Sequence, residues 1–175
     1  MKKVIFSIAL VIVAIIGCKT KNNSSDSKNL TIAFESKSNS SVKGTAAFTE
    51  KKGQVTFVAQ LTGLTPGVHA IHIHEKSDCS APDGTSAGGH WNPTFKKHGK
   101  WGAGEYHKGD IGNFTADEKG NGTITLTTDE WCIGCEDATK DILGKGLIVH
   151  QGTDDFTSQP AGNAGARVAC SAIIK

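Results

Sequence analysis

The sequence predicts an all-β protein, an antiparallel sandwich or barrel, on three observations. Apolar residues recur at every second position in runs such as LTIAFE from Leu30 and VTFVAQL from Val55, the period of a strand rather than a helix. No stretch of the expected folded part carries an amphipathic helical pattern. The 21 glycines punctuate short strand-like runs, as turns between strands require.

Taken in order, the chain begins with Lys2 and Lys3 and then 13 mainly apolar residues, Val4 to Ile16. A bilayer span needs about 20 apolar residues, whereas a secretory signal core needs only about 7 to 15. Ile15-Ile16-Gly17-Cys18 resembles a bacterial lipobox, so residues 1–17 are expected to be a lipoprotein signal peptide and Cys18 the lipidated new N-terminus. Cleavage there takes Lys2 and Lys3 away, leaving 17 basic residues against 17 acidic ones. A formally neutral mature chain gives no support to nucleic-acid binding. The polar stretch after Cys18 reads as a flexible tether over 18–29. A single folded domain is expected over 30–175, long enough for an adequate core.

Within that domain, Val42–Thr49 and Gln54–Leu61 flank Glu50-Lys51-Lys52-Gly53 and read as a hairpin, with Gly53 supplying a positive φ. A second turn over 117–122 separates Asn113-Phe114-Thr115-Ala116 from TITLTT. VHAIHIHE, GLIVHQ and ARVACSAII are the remaining strand-like runs. Between Glu75 and Gly112 lies a long segment without strand pattern. Loops beyond about 12 to 15 residues in compact domains are usually functional or disordered. This one holds His90, His98, His107 and Asp110, which argues for ordering by a ligand.

The strand VHAIHIHE sorts its own histidines. Alternate residues of a strand share a face, so His72 pairs with His74 while His69 sides with Ile71 and Ile73. If the isoleucines point into the core, His69 is a packed, hydrogen-bonded histidine, and His72 and His74 form a two-point metal site on the outer face. The remaining pattern is H-x7-H-x8-H-x2-D from His90 to Asp110, then His150 at the end of GLIVHQ. Imidazoles with one carboxylate suit Cu(II) and Zn(II). Six histidines and an aspartate exceed the needs of one four-coordinate ion, so two ions are expected.

These motifs, HIHE, GGHWNP, KKHG, HKGDIGN, GLIVHQ and GNAGARVAC, make the chain from about Leu30 to Lys175 closely similar to the copper/zinc superoxide dismutases, of a bacterial kind. The resemblance implies a Greek-key β-barrel with long metal-binding loops. It implies copper at His72, His74 and His150, zinc at His98, His107 and Asp110, and His90 bridging both ions. Asp154 would take the place of the carboxylate that orients one copper and one zinc histidine, although an exposed loop aspartate is the alternative. Arg167, the only arginine, would orient superoxide at copper. It could also pin the glycine-rich loop before it, and the two roles are compatible.

On the same resemblance Cys79 and Cys170 form a disulfide tying the metal loop to the last strand. Cys132 and Cys135, in WCIGC, match nothing in the family pattern. A local structural disulfide, a redox-active pair and half of a soft-metal site all stay open for them. The segment DDFTSQPAGN lacks the charged cluster that steers substrate in animal enzymes, leaving Lys76, Lys96 and Lys97 as candidates. The implied reaction is superoxide disproportionation by copper cycling between Cu(II) and Cu(I). The competing reading is a copper carrier on the same fold, which would need neither a second metal nor an anion guide. Lipid at Cys18 implies a cell-envelope lipoprotein, facing the periplasm or anchored in the outer membrane. A homodimer is one possible assembly, although no apolar surface strand marks its interface.

Overall fold

A computed structural model describes residues 27–175; the expected signal peptide, Cys18 and most of the tether lie outside the described residues. Nine strands follow one another: β1 (Lys28–Ala33), β2 (Glu35–Ser36), β3 (Lys43–Lys51), β4 (Gln54–Thr62), β5 (Gly67–His74), β6 (Gly112–Ala116), β7 (Gly122–Thr128), β8 (Lys145–His150) and β9 (Arg167–Ile173). The only helical piece among the described residues is a 3-10 turn at Thr85–Ala87, and no helix there is long and apolar enough to cross a membrane. Strand β1 starts at Lys28, so Lys28 and Asn29 belong to the sheet rather than to the tether. Their pairing with Glu50 and Thr49 overrides a polar composition that reads as linker.

The strands form one antiparallel sheet in the order β1-β3-β4-β7-β6-β5-β8-β9-β2. Because β1 and β2 are separated only by Phe34, the first stretch of chain pairs with β3 through one half and with β9 through the other, closing the sheet into a barrel. Strands β5, β6 and β7 form a meander, and β4 lies beside β7, so residues 63–66 carry the chain across the barrel end in a Greek key. The β3–β4 turn is tighter than expected. Glu50 and Lys51 pair with Val55 and Gln54, and only Lys52 (φ 52°) and Gly53 (φ 78°) make the turn, both in the left-handed region of a type I′ hairpin.

Inward residues of alternating strands build the core, among them Phe48, Phe57, Leu61, Ile71, Ile73, Leu147 and Val149, with Trp131 filling the space beside the two phenylalanines. The feature that creates the site is the departure of β6 from β5 at Ile71, its last paired residue. That frees one edge of β5, whose backbone groups need partners. The 75–111 loop supplies them: Ile73 N donates to Gly109 O (2.9 Å), Trp91 N donates to Ile73 O (2.9 Å), and Gly109 N donates to Trp91 O (3.0 Å). A Cβ at Gly109 would overlap the Ile73 carbonyl oxygen, so the approach requires glycine there. The loop is thereby folded onto the outer face of the strand that carries His72 and His74.

Candidate metal centre

Strand parity holds. Ile71 and Ile73 lie in the main core, and His69 packs beside Phe114 with its ring nitrogens 3.0 Å from His150 O and 2.8 Å from Thr65 O. His72 and His74 occupy the opposite face, but that face is not solvent. They are 0% and 1% exposed, because the 75–111 loop roofs them. His150 shares their face at the end of β8, where a register irregularity between Val149 and His150 alters the aim of its side chain. His69→Ala is therefore expected to lower stability by about 1–3 kcal/mol through loss of a buried ring hydrogen bond to a carbonyl and of the packing against Phe114. Metal stoichiometry should stay at the wild-type value in the same preparation, and loss of copper would overturn the parity argument.

The structure brings the predicted ligands together in two groups. His72, His74, His90 and His150 offer one ligand atom each within 4.8 Å of one another, and His90, His98, His107 and Asp110 do the same, so His90 belongs to both. All seven are buried. The six imidazoles share one arrangement, with one ring nitrogen held by the protein or by Asp110 and the other turned inward; of the inward nitrogens, those of His98 and His107 face only the Asp110 carboxylate, at 3.0 and 3.2 Å. His72 Nε2 donates to Asp154 Oδ2 (2.9 Å), His74 Nδ1 to Gly88 O (2.9 Å), His98 Nε2 to Asp154 Oδ1 (2.9 Å), His107 Nε2 to Lys96 O (3.0 Å) and His150 Nδ1 to Gly165 O (3.2 Å). His90 Nδ1 lies 2.8 Å from Asp110 Oδ1.

The inward-turned buried atoms are His72 Nδ1, His74 Nε2, His90 Nε2, His98 Nδ1, His107 Nδ1 and His150 Nε2. Four inward nitrogens with no hydrogen-bond partner and two facing only a shared carboxylate would be an unusual cost for a fold to carry without ligands for them. Their convergence fits two metal ions, and the oriented outer nitrogens are the arrangement by which proteins fix the tautomer of a ligating histidine.

Electrostatics separate the two groups. Burial, with the neighbouring histidines adding to it, pushes His74 and His150 well below the usual imidazole range and His90 down to about 4. These rings are neutral at neutral pH, the form that ligates. Burial would also lower His98, but the carboxylates of Asp110 and Asp154 outweigh it and raise the ring to about 9. Asp110, despite burial that opposes ionisation, is held far below the usual carboxylate range by His107, His90 and His98. The second group thus contains an ionised carboxylate suited to a closed cation site, whereas the first is built of imidazoles alone.

Asp154, 1% exposed, is not a free loop aspartate: its two oxygens join His72 to His98, and the side chain of Asn113 on β6 holds its backbone at both ends (2.9 and 2.8 Å). Gly162, at φ 68°, leaves room for this carboxylate and the His98 ring, which a Cβ would overlap. Arg167, half-buried at the start of β9, donates from Nη1 to Gly84 O and from Nη2 to Gly88 O, both at 2.8 Å. Cys79 is bonded to Cys170, a bridge 91 residues apart in sequence that tethers the loop carrying those glycines. Arg167, His74, His90 and His150 line a recess of about 610 Å³ open to solvent, together with Lys96 and Lys97 but not Lys76. Cys132 and Cys135 are also bonded to each other, which removes the soft-metal reading for the oxidised pair.

One buttress escaped sequence reasoning. Gln159 pairs with the backbone of His98 in both directions, accepting from its N (2.9 Å) and donating to its O (2.9 Å). A lone glutamine 61 residues away carries no pattern that announces this.

A Greek-key barrel whose roofed outer face gathers five histidines and an aspartate around the shared His90, with the Arg167 guanidinium lining the adjoining recess, has the build of a binuclear metalloprotein. Residues 42–173 match the family model of copper/zinc superoxide dismutase (SODC), and the chain belongs to that family. It is 38% identical over 137 residues to "Superoxide dismutase [Cu-Zn] 2" of Aquifex aeolicus (strain VF5), covering 75% of this chain and 79% of that relative. It is 38% identical over 134 residues to the corresponding protein of Caulobacter vibrioides, covering 74% and 77%. Among solved structures it is similar to the clock protein EA4, with a TM-score of 0.73 and 32% identity over 82% of this chain and 92% of that one.

Proposed function

We propose that the protein is a copper- and zinc-dependent superoxide dismutase that works in the cell envelope, with His72, His74, His90 and His150 holding copper and His90, His98, His107 and Asp110 holding zinc. The observation that carries the ligand assignment is the set of six buried, inward-turned ring nitrogens converging with the Asp110 carboxylate from both sides of His90. When bound, copper supplies one-electron chemistry that oxidises one superoxide to O₂ and reduces a second to H₂O₂ with two protons, while zinc is redox-silent.

The residues of the chain divide the remaining work. Arg167 meets the anion: its guanidinium stays protonated at any working pH, and the two loop carbonyls fix its plane in the recess that His74 and His150 also line. Lys96 and Lys97 add positive charge at the recess wall and raise the local anion concentration. His90, facing the same recess, is the residue at whose Nε2 a proton can be held for the departing peroxide, as the family resemblance implies. Asp154 keeps the rings of His72 and His98 in register. The lipobox-like Ile15-Ile16-Gly17-Cys18 supports anchoring to a membrane by lipid at Cys18, after removal of residues 1–17.

The test is superoxide dismutation and metal content measured on one preparation loaded with both metals. Activity supports the proposal, and inactivity with both sites filled favours a carrier. Arg167→Ala should lower kcat/KM about tenfold or more, the scale of a lost charge that steers and orients an anion. Copper and zinc contents should match wild type, and loss of metal would make Arg167 a structural brace only.

A further inference from the structure

WCIGC has no place in the reading above, yet its surroundings single out one ligand. His107 lies between Tyr106 and Lys108, and both neighbours are gripped by the loop that follows β7. Tyr106 OH donates to Glu130 Oε1 (2.5 Å), and Lys108 Nζ forms an ion pair with Glu130 Oε2. Trp131 Nε1 donates to Lys108 O (2.9 Å). One carboxylate and one indole from adjacent residues thus hold the chain on both sides of His107.

The gripping residues are themselves anchored. Trp131 is fully buried against Phe48, Phe57 and Trp101, with ring centroids 6.4, 6.3 and 5.4 Å away. The next residue, Cys132, is bonded to Cys135 and exchanges backbone hydrogen bonds with Lys140 and Ile142, while Ile133 N donates to Glu50 Oε2 (2.8 Å) on β3.

We propose that the loop closed by Cys132–Cys135 is a brace for the zinc half of the centre, in which Glu130 and Trp131 are positioning residues that fix Tyr106 and Lys108 on either side of His107. The proposal rests on His107 being a zinc ligand. Metal affinity depends on how little a ligand must be reordered on binding, and residues that orient ligands typically contribute 10- to 100-fold. His72 and His74 owe their placement to the β5 ladder and not to this loop, so the brace acts on zinc and leaves copper alone.

The experiment uses the mature chain carrying both metals, with zinc release timed by a chromophoric chelator and the visible spectrum recorded with cobalt(II) in the zinc position. Glu130→Ala and the double variant Cys132→Ser/Cys135→Ser should each release zinc about tenfold faster, shift the cobalt bands and leave copper release unchanged. Lys108→Met should behave likewise, and Lys108→Arg, which keeps the ion pair, should restore the wild-type rate and spectrum. Should Glu130→Ala not fold, the two Lys108 variants carry the test. Wild-type zinc release in Lys108→Met and in the double cysteine variant overturns the brace, as does equal acceleration of zinc and copper release, the mark of general loosening. His107→Ala separates the underlying reading: zinc retained in that variant defeats the ligand assignment, whereas zinc lost there but kept in the brace variants defeats the brace alone.

Discussion

Replacing both Cys79 and Cys170 by serine should lower the stability of the metal-free protein by about 4–5 kcal/mol, the chain-entropy value for a bridge closing a loop of this length. Equilibrium urea unfolding measures it directly, and the metal-free form is the one to use because bound metal couples to unfolding. Function should change as well. The bridge holds the 79–88 segment against β9, and Gly84 O and Gly88 O in that segment are the acceptors that orient Arg167. Lys37, nearly buried, donates from Nζ to Cys79 O and supports the same segment from β2's side. The metal-loaded double variant should therefore lose kcat/KM in the direction of Arg167→Ala while keeping its metals. A loss below about 1 kcal/mol would mean that the reduced, unfolded chain is already constrained and that the bridge serves only to aim Arg167.

Much of this centre is legible in the sequence because its ligands sit on elements with simple periodicity. Parity along VHAIHIHE separates His69 from His72 and His74 with no knowledge of the fold, since a strand cannot place residues 69 and 72 on one face. Parity could not say that the outer face is roofed. That follows from β6 leaving β5 at Ile71, a register property with no local signature. The same limit explains the tether boundary, where Lys28 and Asn29 are polar but paired, and the second loop disulfide, whose formation depends on how residues 129–144 fold back. Gln159, Glu130 and Trp131 act through backbone groups or side chains far away in sequence. Such contacts need only an acceptor or donor of the right reach, so residue type says little about them. Asp154 lies between these cases: its position after GLIVHQ resembles the family, but its burial and its link between two ligands belong to the fold.

Asp154→Asn should lower zinc affinity about 10- to 100-fold with little change in molecular volume. The carboxylate accepts from His72 Nε2 and His98 Nε2 with its two oxygens, both at 2.9 Å. An asparagine keeps one acceptor and turns an N–H₂ toward the other ring, so one imidazole must lose its partner or turn over. A hydrogen bond to a buried charged group is worth roughly 1.5–3 kcal/mol, which corresponds to the same 10- to 100-fold. The loss should fall on zinc before copper. His72 lies within β5, with Ile148 of β8 opposite it in the ladder, so its backbone stays in place when the side-chain contact goes. His98 sits on a loop, and apart from Gln159 on its backbone its orientation depends on Asp154 and Asp110. Removing one carboxylate also removes part of the negative potential that raises His98 to about 9 and that favours a cation beside it. Competition with a zinc chelator, with copper followed in the same sample by its visible absorption, gives the order of loss. Copper lost first, or both metals retained at wild-type affinity, would show that the 2.9 Å contacts of Asp154 satisfy hydrogen bonds without setting the geometry of the zinc ligands.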